Sequence, residues 1–193
     1  MTPVERDQNS AIQNSWPRFL LLVTLVALPA ILRLVPHAWN FAPAGAFAIF
    51  AGAKLGSWKK ATILTLLSMV VADLILGLHW TMPFVYACLL FNVWMGWQMR
   101  NRVRPLTLVG STLLTSIVFF IVTNFGAWIE LGIRYQTYPL NFAGLMQCYA
   151  AGVPFFRDTL VSDALFVTAA FGLLGLIEWR IPAMRAPKAV PAT

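Results

Sequence analysis

The sequence predicts an all-α integral membrane protein: a bundle of six transmembrane helices with both termini on the cytoplasmic side (N-in/C-in). Three observations carry this. Of the 193 residues, 59% are hydrophobic and only 11% are charged, with a mean hydropathy of +0.72. Soluble domains run at about 45–50% apolar and about 25% charged, so this chain has more apolar surface than a core of its size hides. The apolar residues also fall into successive runs near the ~20 residues that cross a bilayer core. The positive charges fall between alternate runs, where a membrane topology puts them.

The first run, 18–35, ends at Pro36 and is expected to be a retained membrane helix, although "ALPA" at 27–30 faintly resembles a cleavage site. The second, "NFAPAGAFAIFAGAKLG" at 40–56, is short and rich in small residues. The third, 60–79, is broken only by Asp73. The fourth, 83–99, starts at Pro83 and carries Cys88 within "VYACLLFNVWMG". The fifth, 105–130, starts at Pro105. The last is 158–178. Segment 131–157 is semi-polar and aromatic and is expected to be an extended outer loop with a short helix or re-entrant piece at 141–152. The domain plan is therefore a cytoplasmic segment 1–17, a membrane domain 18–179 and a Pro- and Ala-rich cytoplasmic tail 180–193.

The basic residues test the count. With six spans, Arg6 and Arg18, Lys54/Lys59/Lys60, Arg100/Arg102/Arg104 and Arg180/Arg185/Lys188 fall on one side. Arg33, Arg134 and Arg157 fall on the other. This is the positive-inside pattern, and it accounts for the net charge of +7 without a nucleic-acid partner. It also requires the short second run to cross. Ala44, Ala48 and Gly52 form a four-residue stripe there, which suits close helix packing within the molecule or, alternatively, a docking face for another subunit.

Polar groups inside a membrane protein are costly, so their placement is informative. They gather toward the outer face: Arg33, His37, Trp39 and Asn40 in the first outer loop, and His79 and Trp80 in the second. Asp73 lies just below. Asn124 and Trp128 sit near the end of the fifth run, and Tyr135, Tyr138, Asn141, Gln147, Cys148 and Tyr149 follow in the long loop. Asp158, Ser162 and Asp163 open the last run. Trp and Tyr at an interface also act as anchors, and Asp158 suits a helix N-terminus. Asp73, inside an apolar span, needs a partner, with Arg33, Asn40 and His79 as candidates. The asymmetry predicts a pocket opening outward. No HExxH, GxSxG, Walker loop or CxxC is present, so transport driven by ATP requires a separate partner. Two cysteines sixty positions apart form no disulfide framework.

The stretches "RLVPHAWNFAPAGAFAIFAGA", "VADLILGLH", "FFIVTNFGAW" and "YPLNFAGLMQCYAAGVPFFRDTLVSDALF" resemble, in order over about 30–170, a family of small bacterial membrane proteins of unassigned function. The six-helix plan is also similar to the substrate-binding S-components of energy-coupling-factor (ECF) vitamin transporters. Among these, the solitary cobalamin transporters of the BtuM type are close in size. That resemblance implies a bacterial inner-membrane carrier that takes up cobalamin from its outer face, alone or with an ECF-type ATPase module. It implies no cofactor of its own beyond cobalamin as bound substrate. It makes Cys88 the cobalt ligand, with removal of cyanide from cyanocobalamin as a possible chemistry, and Cys148 the second choice. A soft thiolate suits a transition metal, and metal coordination lowers a thiol's pKa.

In this reading Asp73, His37, Asn40, His79, Trp80, Tyr86, Asn124, Trp128 and Tyr135 surround the substrate, and Phe84 joins the aromatic walls. Read from the residues alone, Cys88 stays open between ligand and small buried hydrophobe. Two alternatives remain. One is a carrier for a smaller vitamin or precursor, with Cys88 inert and Asp73, Asn124 and the histidines as hydrogen-bonding groups. The other is an assembly protein without a small ligand, docked through the second run.

Overall fold

The structure is a computed structural model that describes residues 3–34 and 43–185, with side chains described from Trp16 onward. The described residues form six α-helices and one short 3-10 turn: α1 Pro3–Leu34, α2 Ala44–Lys54, α3 Trp58–Leu76, α4 Met82–Met99, α5 Pro105–Arg134, α6 Phe142–Arg180 and the turn Pro182–Met184. The all-helical expectation holds. By length and apolar composition, three segments suffice to cross a membrane: Trp16–Leu34, α5 and α6. Helices α3 and α4 have 19 and 18 residues, about 28 Å. Lys59, Lys60 and Asp73 lower the apolar character of the first, and Asn92 and Gln98 that of the second. The outside of the bundle bears large apolar side chains such as Leu74, Ile75, Leu106, Leu165 and Leu176. Such a surface belongs in lipid, and the chain is an α-helical membrane protein.

Contacts between side chains and backbones fix the directions of the helices. Ser116 of α5 meets Asp163 of α6, and Tyr149 meets Ile121, so these two run antiparallel. Helices α4 and α5 are also antiparallel, because Phe84 packs at Gly126 and Met99 at Ser111. Arg18 near the start of the apolar part of α1 pairs with Glu178 near the end of α6 at 2.5 Å. The alternation places Lys54, Lys59, Lys60, Arg100, Arg102, Arg104, Arg180 and Arg185 at one end of the bundle, the grouping that the sequence predicts.

Helix α2 is the axis. It touches each of the other five helices, and every residue from Ala46 to Ala53 is buried. It is 11 residues long, about 16 Å, roughly half of the ~30 Å hydrocarbon core. The predicted span 40–56 is thus helical only over 44–54, and its residues 40–42 lie outside the described part. Gly52 and Gly96 let α2 and α4 touch backbone to backbone. A Cβ on Gly52 would lie 2.1 Å from the Val93 carbonyl oxygen, and one on Gly96 would lie 2.0 Å from that of Ile49. The small-residue stripe is therefore consumed by internal packing. Phe50 stacks edge-to-face on Phe171 at 5.2 Å, and Phe47, Leu89, Val93, Val26 and Leu174 complete the core.

The expected outer loop 131–157 is corrected. Helix α5 continues to Arg134, and α6 is helical from Phe142 through Pro154 to Arg180, 39 residues in all. Asn141 caps α6, its Oδ1 accepting from the Gly144 N–H at 3.0 Å. The semi-polar composition serves the seam with α5 rather than water. Tyr149 donates to the Ile121 carbonyl at 2.9 Å, and Phe120 packs on Tyr149 and Phe156. Pro154 removes one backbone hydrogen bond, but this packing holds the helix across it. Likewise α1 begins at Pro3, well before the predicted 18, and contains Pro17 and Pro29.

Gly52→Ala or Gly96→Ala is expected to force α2 and α4 apart and destabilise the protein by about 1–3 kcal/mol. Gly172→Ala, where an added Cβ meets nothing within 4 Å, is expected to be neutral or stabilising by up to about 1 kcal/mol. Thermal unfolding of the purified variants in detergent measures the contrast. Equal effects at the three positions would contradict the close approach.

Candidate functional site

Opposite the basic end, the helices diverge around a cavity of about 570 Å³. Its polar lining comprises Arg33, His79, Thr81, Asn92, Thr123, Asn124, Thr159 and Asp163. Ala44, Gly45, Met69, Leu76, Val85, Leu89, Phe119 and Ala127 supply apolar wall. It lies where α1 ends, α2 begins, α3 ends and α4 begins, which is the end the sequence assigns to a pocket.

The inner part is built by the start of α2. The first N–H groups of a helix have no partner within it, and Pro43 at the N-cap supplies no side-chain bond. The Asp163 carboxylate, reaching across from α6, accepts the Ala46 N–H and also the Ser116 hydroxyl, the latter at 2.6 Å. A carboxylate at a helix N-terminus is also favoured by the helix dipole. Asp163 is only 4% exposed. Beside it, Asn92 of α4 donates from Nδ2 to the Gly45 carbonyl at 3.3 Å. Its Oδ1 is buried without a partner. Gly45 leaves room for both: a Cβ there would stand 2.9 Å from Asp163 Oδ1 and 3.0 Å from Asn92 Nδ2.

One wall carries an ion pair. Arg33 donates to Asp73 Oδ1 at 2.6 Å, and Tyr86 donates its hydroxyl to Asp73 Oδ2 at 2.6 Å. Asp73 is 1% exposed, whereas the Arg33 side chain is 19% exposed and faces the cavity. Of the candidate partners of Asp73 among the described residues, Arg33 binds it and His79 does not; Asn40 lies outside them. Tyr86 joins as a hydrogen-bond donor, and it does not line the cavity.

The sequence-predicted site residues scatter around this centre. His79 and Asn124 line the cavity. Asn124 donates to the Phe120 carbonyl and packs against Gly152, which has no Cβ to displace it. Asp73 and Tyr86 stand behind Arg33. Trp80 and Tyr135 are exposed; the Arg134 guanidinium lies over the Trp80 ring at 5.4 Å. Trp128 bonds the Pro139 carbonyl at 3.0 Å, and Phe84 packs on Phe125 and at Gly126. None of these four aromatics lines the cavity. Its aromatic lining residue is Phe119. His37 and Asn40 lie outside the described residues.

Cys88 is 2% exposed and is not part of the lining. The cavity-facing line of α4 is Val85, Leu89 and Asn92. At about 100° per residue, Cys88 sits about 70° round the helix from that line. Cys148 is also buried; its thiol approaches the Asn124 carbonyl at 3.5 Å. Among the described residues no cluster of three His, Cys, Asp or Glu is placed to hold a metal ion. Asn92 is a lining residue that sequence reasoning did not name, and Asp163 was named only among the polar residues that open the last run. Asn92 does carry a signal, a strong polar group in the middle of an apolar run.

Two expectations follow. Asp73→Ala leaves the Arg33 charge half-buried and unpaired and should cost about 3 kcal/mol, whereas Arg33→Met with Asp73→Leu should recover more than half of that; detergent unfolding measures both. Cys88 and Cys148 should resist a maleimide in the folded protein and react on denaturation, read by mass spectrometry. Rapid labelling of Cys88 in the native state would show a thiol open to the cavity.

Among curated proteins and among solved structures, no match is found. A family model does match, covering residues 13–184 and so most of α1 and all of α2 to α6. The chain belongs to the family of unknown function DUF6580.

Proposed function

We propose that the protein is a membrane carrier of the S-component-like kind that binds a small, polar, vitamin-class metabolite in the α2–α4–α6 cavity. The observation that carries this reading is the cavity: a volume of about 570 Å³, within the roughly 300–1,000 Å³ of small-molecule sites. Most of its polar lining groups sit on rigid helices rather than loops. The basic end lies opposite, so the positive-inside rule supports a cavity facing outward from a bacterial inner membrane with six crossings. No nucleotide-binding motif is present in the sequence, so an ATP-driven step would be supplied by a separate module. Against the docking-face alternative stands the burial of its stripe: Gly52 meets the α4 backbone, and Ala48 is buried inside the bundle.

Cobalamin is the second reading. It is favoured by the family-level resemblance and by one structural point: Leu89, next to Cys88, lies on the cavity wall. It asks for a wider cavity, since a corrinoid is much larger than ordinary vitamins, and for rotation of the thiol into it.

Extraction of the purified full-length protein, followed by mass spectrometry of the low-mass fraction, tests both. The small-metabolite reading expects one compound enriched with wild type, undiminished in Cys88→Ala and lost in Thr123→Trp, which fills the cavity. A corrinoid absorbance that disappears in Cys88→Ala would move the assignment to cobalamin. Recovery of no compound, with the wild type and Thr123→Trp extracts identical, would overturn the carrier reading.

A further inference from the structure

We infer that the inner end of the cavity is an amino-group subsite, in which Asn92 Oδ1 and the Asp163 carboxylate receive the N–H donors of an amine or aromatic amino group on the bound molecule. The inference rests on the reading that this cavity binds a small metabolite, and it specifies which end of that metabolite enters first.

Asn92 has a determined orientation. Its Nδ2 donates to the Gly45 carbonyl at 3.3 Å; turning the amide over would set oxygen against oxygen. Oδ1 is therefore the group left over, buried and without a partner. The side chain is 2% exposed and lines the cavity. A buried acceptor without a donor in the protein is uncommon and calls for a donor from outside it, a bound molecule or a water.

Asp163 supplies the second acceptor. It accepts from Ser116 and Ala46, yet a carboxylate has about four lone-pair sites. Among the described residues, no Lys, Arg or His forms an ion pair with it. Arg33, the cation on the same cavity, is held by Asp73. Asn92 and Asp163 are neighbouring side chains: the position a Gly45 Cβ would take is 3.0 Å from Asn92 Nδ2 and 2.9 Å from Asp163 Oδ1, and Asn92 Oδ1 is the other polar atom of that same amide. The inner end thus offers acceptors on two side chains that stand beside each other. Arg33, His79 and Asn124, farther toward the mouth, offer donors. A molecule with nitrogen donors at one end and a carboxylate or carbonyl at the other matches both ends.

The test uses two probes that share a phenylethyl group, phenethylamine and hydrocinnamate, which end in an ammonium and a carboxylate. Binding to the purified full chain in lipid nanodiscs is followed by ligand-observed NMR and by thermal shift. Wild type is expected to bind phenethylamine more tightly than hydrocinnamate by about tenfold, ~1.4 kcal/mol. Asp163→Asn, which keeps the size and the oxygen facing Ala46, should erase that preference, and Asn92→Leu should weaken phenethylamine. The wild-type selectivity stands as a measurement even where a variant folds poorly. Equal binding, a preference for hydrocinnamate, binding of neither probe, or a preference that survives Asp163→Asn each overturns the amino-group assignment. The extraction experiment judges the cavity reading separately, so the two can fail independently.

Discussion

A helix that begins inside a membrane protein has to find partners for its first N–H groups without water. In α2 this need is acute. The helix is surrounded on all sides, it starts partway through the bundle, and the residue before it is a proline with no side-chain acceptor. The Asp163 carboxylate answers from α6. That single contact brings a carboxylate to the centre of an apolar fold, and Ser116 on α5 is bonded to it in turn. Three helices are thereby tied to one point. The depth at which α2 begins sets the depth of the cavity above it.

Close packing and the cavity are two sides of one arrangement. Toward the basic end, Gly52 and Gly96 draw α2 and α4 into backbone contact. Toward the other end the same pair separates enough for Asn92 to reach the Gly45 carbonyl. Lipid tails are as apolar as leucine, so packing and hydrogen bonds rather than hydrophobic burial hold such helices together. The bundle is therefore tightest where small residues meet. It is open where polar side chains replace them.

Much of this was legible in the sequence. The helices follow from apolar runs of membrane length, prolines at 83 and 105 and basic clusters at alternate connections. The Arg33–Asp73 pair was legible in part, because a carboxylate inside a span needs a partner and Arg33 was one of three candidates beside Asn40 and His79. The rest depended on tertiary contacts. Asp163 seemed to open a helix; with α6 starting at Phe142 it lies in the helix interior, and its role depends on α2 starting beside it. Segment 131–157 read as a loop because its polar and aromatic residues suggested water, whereas Tyr149 spends its hydroxyl on the Ile121 carbonyl and the Pro139 carbonyl is taken by Trp128 of α5. The thiol of Cys88 was judged by residue type, but whether it faces the cavity is set by the rotation of α4, which Asn92 and Gly96 fix.

The capping of α2 by Asp163 also bears on the order in which the protein is assembled. Synthesis delivers α2 early and its cap late, after α3, α4 and α5 have all been made. Until then the start of α2 lacks the partner it has in the finished fold, and a segment this short and this dependent on neighbours is a poor candidate for stable insertion by itself. The nascent chain is left with a half-length segment that can settle only when the last helix arrives. Truncation within α6 would therefore be felt at the centre of the bundle as well as at its edge, and the insertion machinery would have to hold α2 until the end of the chain is made.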